Sequence, residues 1–142
     1  MSMDNNDDVA VQEAREKAGQ AFNELYRKIL DVLPTIEEAF SIMSKQLEEL
    51  KLEASAELLQ NTGYALESLI KSLPVVFFEN DNVEKVNQCL NVLDENIETI
   101  VNQYESQNIM EIKKYLDTEL TPNFKSFRQE LEAALHKSFM NA

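Results

Sequence analysis

The chain has 142 residues, 44% of them hydrophobic, and a formal net charge of -13 from 26 acidic and 13 basic side chains. This size and hydrophobic content suit a single folded domain with its own core rather than a disordered chain. Nucleic acid and anionic membranes are poor partners for so acidic a chain, and its single cysteine excludes an internal disulfide and a Cys-rich zinc site.

The first eight residues are polar and acidic, so we expect a disordered tail over 1–8, followed by one domain over 9–142. A first helix is predicted from about Val9, and its strong apolar pattern begins at Phe22. The spacing then alternates four and three residues, which keeps one helix face toward a partner helix. The residues on this first seam are Phe22, Tyr26, Ile29, Leu33, Ile36, Phe40, Met43, Leu47 and Leu50.

Pro34 lies inside the first seam and allows two interpretations. In one, a helix ends near Val32 and a new helix begins, capped by Thr35 and Glu38. In the other, Pro34 kinks one continuous helix. We favour the kinked helix, because two independent helices have no reason to share the phase of their apolar residues.

The apolar phase slips over residues 50–52, which predicts a tight turn and a second helix from Leu52 to Leu73. Pro74 is expected to end this helix. Gly63 lies in its middle, where glycine costs about 1 kcal/mol against alanine. We expect a close approach of two helix backbones at Gly63 or a local kink beside Pro34 or Pro122, with a ligand niche as the alternative.

A short apolar stretch follows Pro74, and it is too short to form a sheet alone. It consists of Val75, Val76, Phe77 and Phe78. The stretch either covers one end of the bundle or forms an exposed binding patch. We favour burial and keep the four residues as candidates for partner binding.

The third helix is expected to begin with a capping pair, Asp81 and Glu84, and to run to about Tyr104. A second seam lies along it at Val83, Val86, Leu90, Leu93, Ile97, Ile100 and Tyr104. The phase slips again over 105–108, and a fourth helix follows from Ile109. Pro122 kinks or restarts that helix, with Thr121 suited to the N-cap.

The two halves of the chain are similar when the first is shifted by 57 residues, which places Leu59 on Leu116. One inserted residue in the second half then brings Leu66 onto Phe124. The predicted fold is therefore all-α. It is a four-helix antiparallel bundle of two similar helical hairpins, about 22–73 and 82–139, with long helices kinked near Pro34 and Pro122.

No arrangement of residues predicts catalysis. A di-metal site in a bundle needs Glu-x-x-His pairs, but Ala133 lies three residues before His136, the single histidine. Gly19 and Gly63 stand alone, so there is no Gly-rich phosphate loop. Cys89 adjoins the second seam and suits a small core residue. We expect no catalytic, cofactor-binding or metal-binding residue, no cofactor, and a protein that is not an enzyme.

Acidic residues are concentrated in 79–111, which holds eight carboxylates and one lysine, Lys85. They form either a solvated face or a surface that meets a basic partner. The acidic candidates for partner binding are Glu79, Glu84, Asp94, Glu95, Glu98 and Glu105.

The expected function is a non-enzymatic protein–protein interaction module that docks a basic or amphipathic protein partner. Composition and pattern resemble small, acidic, all-helical bacterial cytosolic proteins, which implies a cytoplasmic location and carries over no functional residue. One alternative is a chaperone of secretion or flagellar-export type that binds an amphipathic client. Another is a small-ligand binder or an enzyme that uses the bundle interior. The oligomeric state is open, with a homodimer as one alternative.

Overall fold

The structure is a computed structural model that describes the backbone of residues 2–77 and 83–141 and the side chains of 8–77 and 83–137. Within those ranges every element is helical, so the predicted all-α fold class is confirmed. The elements are α1 (Ser2–Glu48), α2 (Leu52–Val76), α3 (Glu84–Ser106), α4 (Ile109–Tyr115), a π-helical turn (Leu116–Leu120) and α5 (Thr121–Asn141). The last three are continuous and together form what we call the fourth rod.

The helices pack in the order α2, α1, fourth rod, α3. The connections between α1 and α2 and between α3 and α4 are only a few residues long, so each pair forms a helical hairpin. Between the hairpins, Arg128 Nη1 lies 3.4 Å from Glu37 Oε2, and the charge of Glu48 acts on Lys113. From the first of these contacts to the second, the residue number rises along α1 and falls along the fourth rod. These two helices therefore run in opposite directions. The backbones of α2 and α3 approach each other less closely than those of the other neighbouring pairs.

The first seam forms the centre of the core. Its members within 29–47 are at most 2% exposed. Phe40 of α1 meets Phe124 of α5 edge-on, with the ring centroids 5.4 Å apart, a geometry that favours aromatic contact. The seam ends at Leu47, since Leu50 lies in the connection after α1 and is 69% exposed. Its predicted place on the seam is therefore wrong.

The second seam divides into two faces of α3. Leu93 and Ile100 are fully buried, but Leu90, Ile97 and Tyr104 are only half-buried. The half-buried face lies toward α2, because the Tyr104 hydroxyl hydrogen-bonds to that helix. The regular apolar spacing of α3 thus supplies both the core and a surface next to α2.

A buried polar cluster joins α3 to the fourth rod on both sides of the π-helical turn. Asn96 is 7% exposed and donates from Nδ2 to the Tyr115 hydroxyl over 2.9 Å. Its Oδ1 accepts a hydrogen bond from Asn123 Nδ2 over 2.7 Å. Because a buried amide is costly without partners, these bonds favour one rotation and register of α3 on the rod.

The π-helical turn lies where the offset between the two halves of the sequence changes from 57 to 58 residues. The Thr121 N–H donates to the carbonyl of Leu116, five residues back, so one turn of the rod holds an extra residue. Phe124 and Leu131 beyond it are fully buried, so the apolar face stays in phase. Because the helix continues through Thr121, the predicted restart at Pro122 is wrong. A bend there stays a prediction.

Two other prolines lie inside helices. α1 passes Pro34 unbroken, so the interpretation with two separate helices is wrong, while a kink at Pro34 stays a prediction. The Thr35 hydroxyl does not cap a new helix but donates to the Asp31 carbonyl over 3.2 Å. Pro74 does not end α2, which continues to Val76. Pro74 is exposed in the last turn, where water can hydrate the carbonyl that its missing N–H leaves unpaired.

The starts of α1 and α3 also differ from expectation. The structure gives α1 from Ser2, so residues 2–8 are helical where a disordered tail is predicted, and every side chain in 8–21 is exposed. Val83 is the N-cap of α3 and makes no side-chain capping bond, which puts Glu84 at the first helical position. The predicted Asp81–Glu84 capping pair stays a prediction, because Asp81 lies outside the described residues.

The two short connections each contain a residue in the left-handed conformation, Leu50 with φ 62° and Gln107 with φ 59°. They are 57 positions apart, the offset that relates the two predicted hairpins. Left-handed backbone costs a residue with a Cβ about 1–2 kcal/mol relative to a right-handed one, so both connections carry local strain.

Replacing Leu50 with glycine is expected to raise the free energy of unfolding by about 0.5–1 kcal/mol. Glycine adopts positive φ without steric cost, and the exposed Leu50 side chain contributes little burial. Urea unfolding followed by circular dichroism measures the change. Leu52→Gly, at the half-buried start of α2, should lower stability instead; a Leu50→Gly protein less stable than the parent would contradict the expectation.

Leu93→Ala is expected to lower the free energy of unfolding by about 2–5 kcal/mol, because it leaves a cavity at a fully buried site. Val92→Ala is the matched control, since Val92 is the preceding residue and is 40% exposed. Its effect should stay within about 0.5 kcal/mol. Equal losses for the two variants in urea unfolding would show that the core is not on this face of α3.

Candidate functional site: a groove between α2 and α3

An apolar groove runs between α2 and α3, the two neighbouring helices whose backbones approach each other least closely. Its volume is about 450 Å³, and it opens to solvent. We call it the α2–α3 groove. Its lining residues are Ala56, Leu59, Gln60, Gly63, Tyr64 and Glu67 of α2, and Ile97, Val101 and Tyr104 of α3.

The helical repeat explains why these residues share the groove. On α3, Ile97, Val101 and Tyr104 follow steps of four and three residues and therefore lie on one side of the helix. On α2, the lining residues at 56, 60, 63 and 67 are spaced four, three and four residues apart, so they also lie on one side of their helix. Two matching stripes on adjacent helices become the two walls of one groove.

Gly63 opens the wall formed by α2. A Cβ added at this position would meet no atom within 4 Å, and Gly63 does not have a positive φ. The predicted close approach of two backbones at Gly63 is therefore wrong among the described residues. Neither packing nor backbone conformation requires a glycine here, and its missing side chain leaves a hollow that we call the Gly63 notch.

A hydrogen-bonded pair ties the two walls together at one end of the groove. The Tyr104 hydroxyl donates to Ser55 Oγ over 2.9 Å, and Ser55 Oγ donates to the Leu52 carbonyl over 2.8 Å. Burial raises the pKa of Tyr104, and the bond with Ser55 opposes this with a smaller lowering effect. The phenol therefore stays protonated at neutral pH and fixes the spacing between α2 and α3.

Carboxylates lie along the outer edge of the α3 wall. Asp94, Glu98 and Glu105 are spaced four, three and four residues around Val101, so they share its side of α3. All three are exposed, and no described Lys or Arg forms an ion pair with them. We call these three residues the acidic rim.

The α2 wall carries less unpaired charge. Glu67 Oε1 is paired with Lys71 Nζ at 3.0 Å. Gln60 Nε2 donates to the Tyr64 hydroxyl over 3.1 Å, which leaves the Tyr64 ring exposed beside the groove. The groove is thus apolar inside, and the acidic rim adds negative charge along its α3 edge.

The acidic candidates predicted from sequence are distributed over two sides of α3. Glu84 and Glu95 are exposed like the rim, but Glu95 lies about 60–100° around the helix from the rim residues, on the side farther from the groove. Glu79 lies outside the described residues. The structure therefore brings only three of the six acidic candidates, Asp94, Glu98 and Glu105, next to an apolar surface.

The predicted apolar patch is not a continuous surface. Val76 is fully buried in the core because it ends the inner face of α2, so its candidacy for partner binding is wrong. Phe77 packs partly against the same core. Val75 is 65% exposed, and Phe78 lies outside the described residues.

A second, polar groove of about 710 Å³ lies between α1 and the fourth rod beside the π-helical turn. Three of the seven charged residues that line it form ion pairs: Glu37, Asp117 and Arg128. Arg128 Nε lies 2.7 Å from Glu132 and Nη1 lies 3.4 Å from Glu37, while Lys113 lies 2.8 Å from Asp117. Only the Arg128–Glu37 pair crosses the interface of the two hairpins, since the other two pairs join residues one turn apart on the fourth rod.

Little in the described residues indicates catalytic or metal chemistry. They contain no group of three His, Cys, Asp or Glu side chains that could hold a metal ion. Burial, with the negative charge of Glu130, raises the pKa of Cys89, which keeps its thiol protonated and weakly nucleophilic. In the same part of the chain, none of the helices combines the length and apolar character needed to cross a membrane.

A family model with the description "Domain of unknown function (DUF8042)" matches residues 24–130. The chain belongs to this family. The DUF8042 match includes both walls of the α2–α3 groove and leaves out the exposed first part of α1. No curated protein and no solved structure matches the chain.

Gly63→Ala is expected to raise the free energy of unfolding by about 0.5–1 kcal/mol, because alanine favours helix and its Cβ enters open space. Gly19→Ala adds a Cβ to equally open space in the exposed part of α1. Since no core packing couples that segment to the bundle, we expect its effect on global unfolding to stay within about 0.5 kcal/mol. A destabilised Gly63→Ala protein in urea unfolding would mean that a backbone or side chain occupies the notch.

Proposed function

We propose that this protein is a non-enzymatic interaction module that holds a partner protein in the α2–α3 groove. The observation that supports this is an open apolar groove with large exposed apolar side chains on both walls. Tyr64 is 61% and Val101 45% exposed, and both line the groove. Contiguous exposed apolar surface is a feature of binding sites, and tyrosine is enriched at the centres of protein interfaces.

The shape of the groove favours a protein partner over a small molecule. Small-molecule sites enclose their ligands, burying about 70–90% of the ligand surface. This groove is bounded by two helices and is open to solvent on its outer side. A ligand that lies along it therefore stays exposed on that side. A protein segment tolerates this exposure, because its own polar face can remain in water.

A chaperone of secretion or flagellar-export type would be one form of such a module. The groove would then hold an amphipathic segment of the client. We keep the cytoplasmic location expected from the sequence as part of the proposal. A chain with one free cysteine is suited to the reducing cytoplasm. A small-ligand binder that uses the bundle interior is less well supported, because the first seam fills that interior with side chains that are almost fully buried.

Site-specific photo-crosslinking in living cells tests the proposal. A benzophenone amino acid at Val101 should give a discrete adduct with a partner protein, because Val101 lines the groove. The same amino acid at Val92 is the matched control, since Val92 is a valine on the same helix with 40% exposure and does not line the groove. The Val101 adduct should be lost when Gly63→Leu fills the notch. Identical adducts from both positions, or none from Val101, would contradict the proposal.

A further inference from the structure

We infer that the occupant of the α2–α3 groove is a basic amphipathic helix of a partner protein, which inserts one large apolar side chain into the Gly63 notch. This inference rests on the proposed function and specifies the chemistry of the partner. Three features of the groove support it: the walls, the notch and the charge of the rim.

The walls favour a helix over an extended strand. An added strand gains its affinity from main-chain hydrogen bonds with an exposed sheet edge. Both walls of this groove are helices whose backbone groups are bonded internally, so no such edge exists here. The lining residues of α2 extend over twelve residues, from 56 to 67, which is about 16 Å along the helix axis at 1.5 Å per step. That length accommodates about three turns of a helix lying along the groove, which present apolar side chains at i, i+3 or i+4, and i+7.

The Gly63 notch accounts for one anchor side chain. Glycine in the middle of a helix lowers stability relative to alanine, and at Gly63 nothing in the folded chain requires it. Ala56, two turns earlier on the same side, is also small. Ile97 and Val101 provide apolar contact from the opposite wall. A leucine, methionine or phenylalanine from a docked helix fits a hollow bounded in this way.

The charge of the rim determines the sign of the partner. Asp94, Glu98 and Glu105 lie along one edge, and the lysine near the other edge, Lys71, is already paired with Glu67. A docked helix turns its polar face toward these edges. Lysines or arginines on that face meet unpaired carboxylates, whereas acidic residues would be repelled. Because the rim is exposed, its attraction mainly accelerates association and weakens as salt increases.

A synthetic peptide supplies the probe. An 18-residue amphipathic helix of leucine and lysine, labelled with a fluorophore, is titrated with the full chain at low salt and followed by anisotropy. The comparison peptide has the same leucine positions with glutamate in place of lysine. We expect the lysine peptide to bind at least about tenfold more tightly than the glutamate peptide, a difference of about 1.4 kcal/mol. Backbone amide shifts of the protein should change along residues 56–67 and 97–104.

Two matched pairs of variants locate the binding. Gly63→Leu should weaken binding of the lysine peptide about tenfold or more, whereas Gly19→Leu, at the other glycine with open space around it, should change it less than about twofold. Glu98→Lys should slow association and flatten the salt dependence, and Glu95→Lys should do so clearly less. If circular dichroism shows that Gly63→Leu does not fold, Val101→Glu is used in its place, and Val92→Glu is then the control.

The outcomes separate this inference from the proposed function. Equal affinity for the two peptides, or a Gly63→Leu protein that binds the lysine peptide as well as the parent does, overturns the basic helix as occupant. If Val101 still crosslinks to a native protein in cells, the groove remains a docking site for another kind of partner. If Val101 gives no adduct either, both proposals fail.

Discussion

The packing of α1 against the fourth rod is the central contact of the bundle. It joins the two helical hairpins along their length, with Phe40 against Phe124 in the core and Arg128 bridging to Glu37 at the edge. α2 rests on α1, and α3 rests on the fourth rod. On the opposite side, α2 and α3 approach each other less closely, and the groove lies between them.

The rotation of α3 decides what the groove contains. Asn96 holds α3 to the fourth rod through Tyr115 and Asn123, one on each side of the π-helical turn. With Asn96 turned inward, Leu93 and Ile100 enter the core together with Val86, and the half-buried Leu90, Ile97 and Tyr104 are left beside α2. A different rotation would bury those members and expose the amide. The polar cluster therefore matters less for total stability than for selecting one arrangement of apolar residues.

The apolar walls and the acidic rim have different physical roles in the proposed interaction. Burial of apolar side chains contributes most of the affinity, at about 25 cal/mol for each Å² removed from water, less the cost of ordering the partner. Exposed carboxylates contribute little to the stability of the fold, and three of them lie together without a described cation. Their concentration beside the groove makes them relevant to the rate and specificity of association.

The helices and most of the core follow from the local spacing of apolar residues. The alternating spacing of four and three residues identified the buried residues of α1, and the phase slips located both short connections, because a helix can bury a face only if its apolar residues recur at that period. The extra residue of the π-helical turn falls in the interval where the predicted offset changes from 57 to 58 residues, while the similarity of the two hairpins stays a prediction. Asn96 was missed, although its position between Leu93 and Ile100 on the inner face was a usable signal.

Tertiary structure alone decided which parts of each seam face the core and which face the groove. Leu93 and Ile97 look equivalent in the pattern, yet one is fully buried and the other lines an open surface. Likewise, Val76 and Val75 are adjacent residues in one apolar stretch, and only Val76 reaches the core. Local periodicity specifies a face to within a broad arc of the helix, whereas the distance between α2 and α3 depends on contacts that each makes with a third helix. Those contacts, and with them the open space at Gly63, are properties of the assembled bundle.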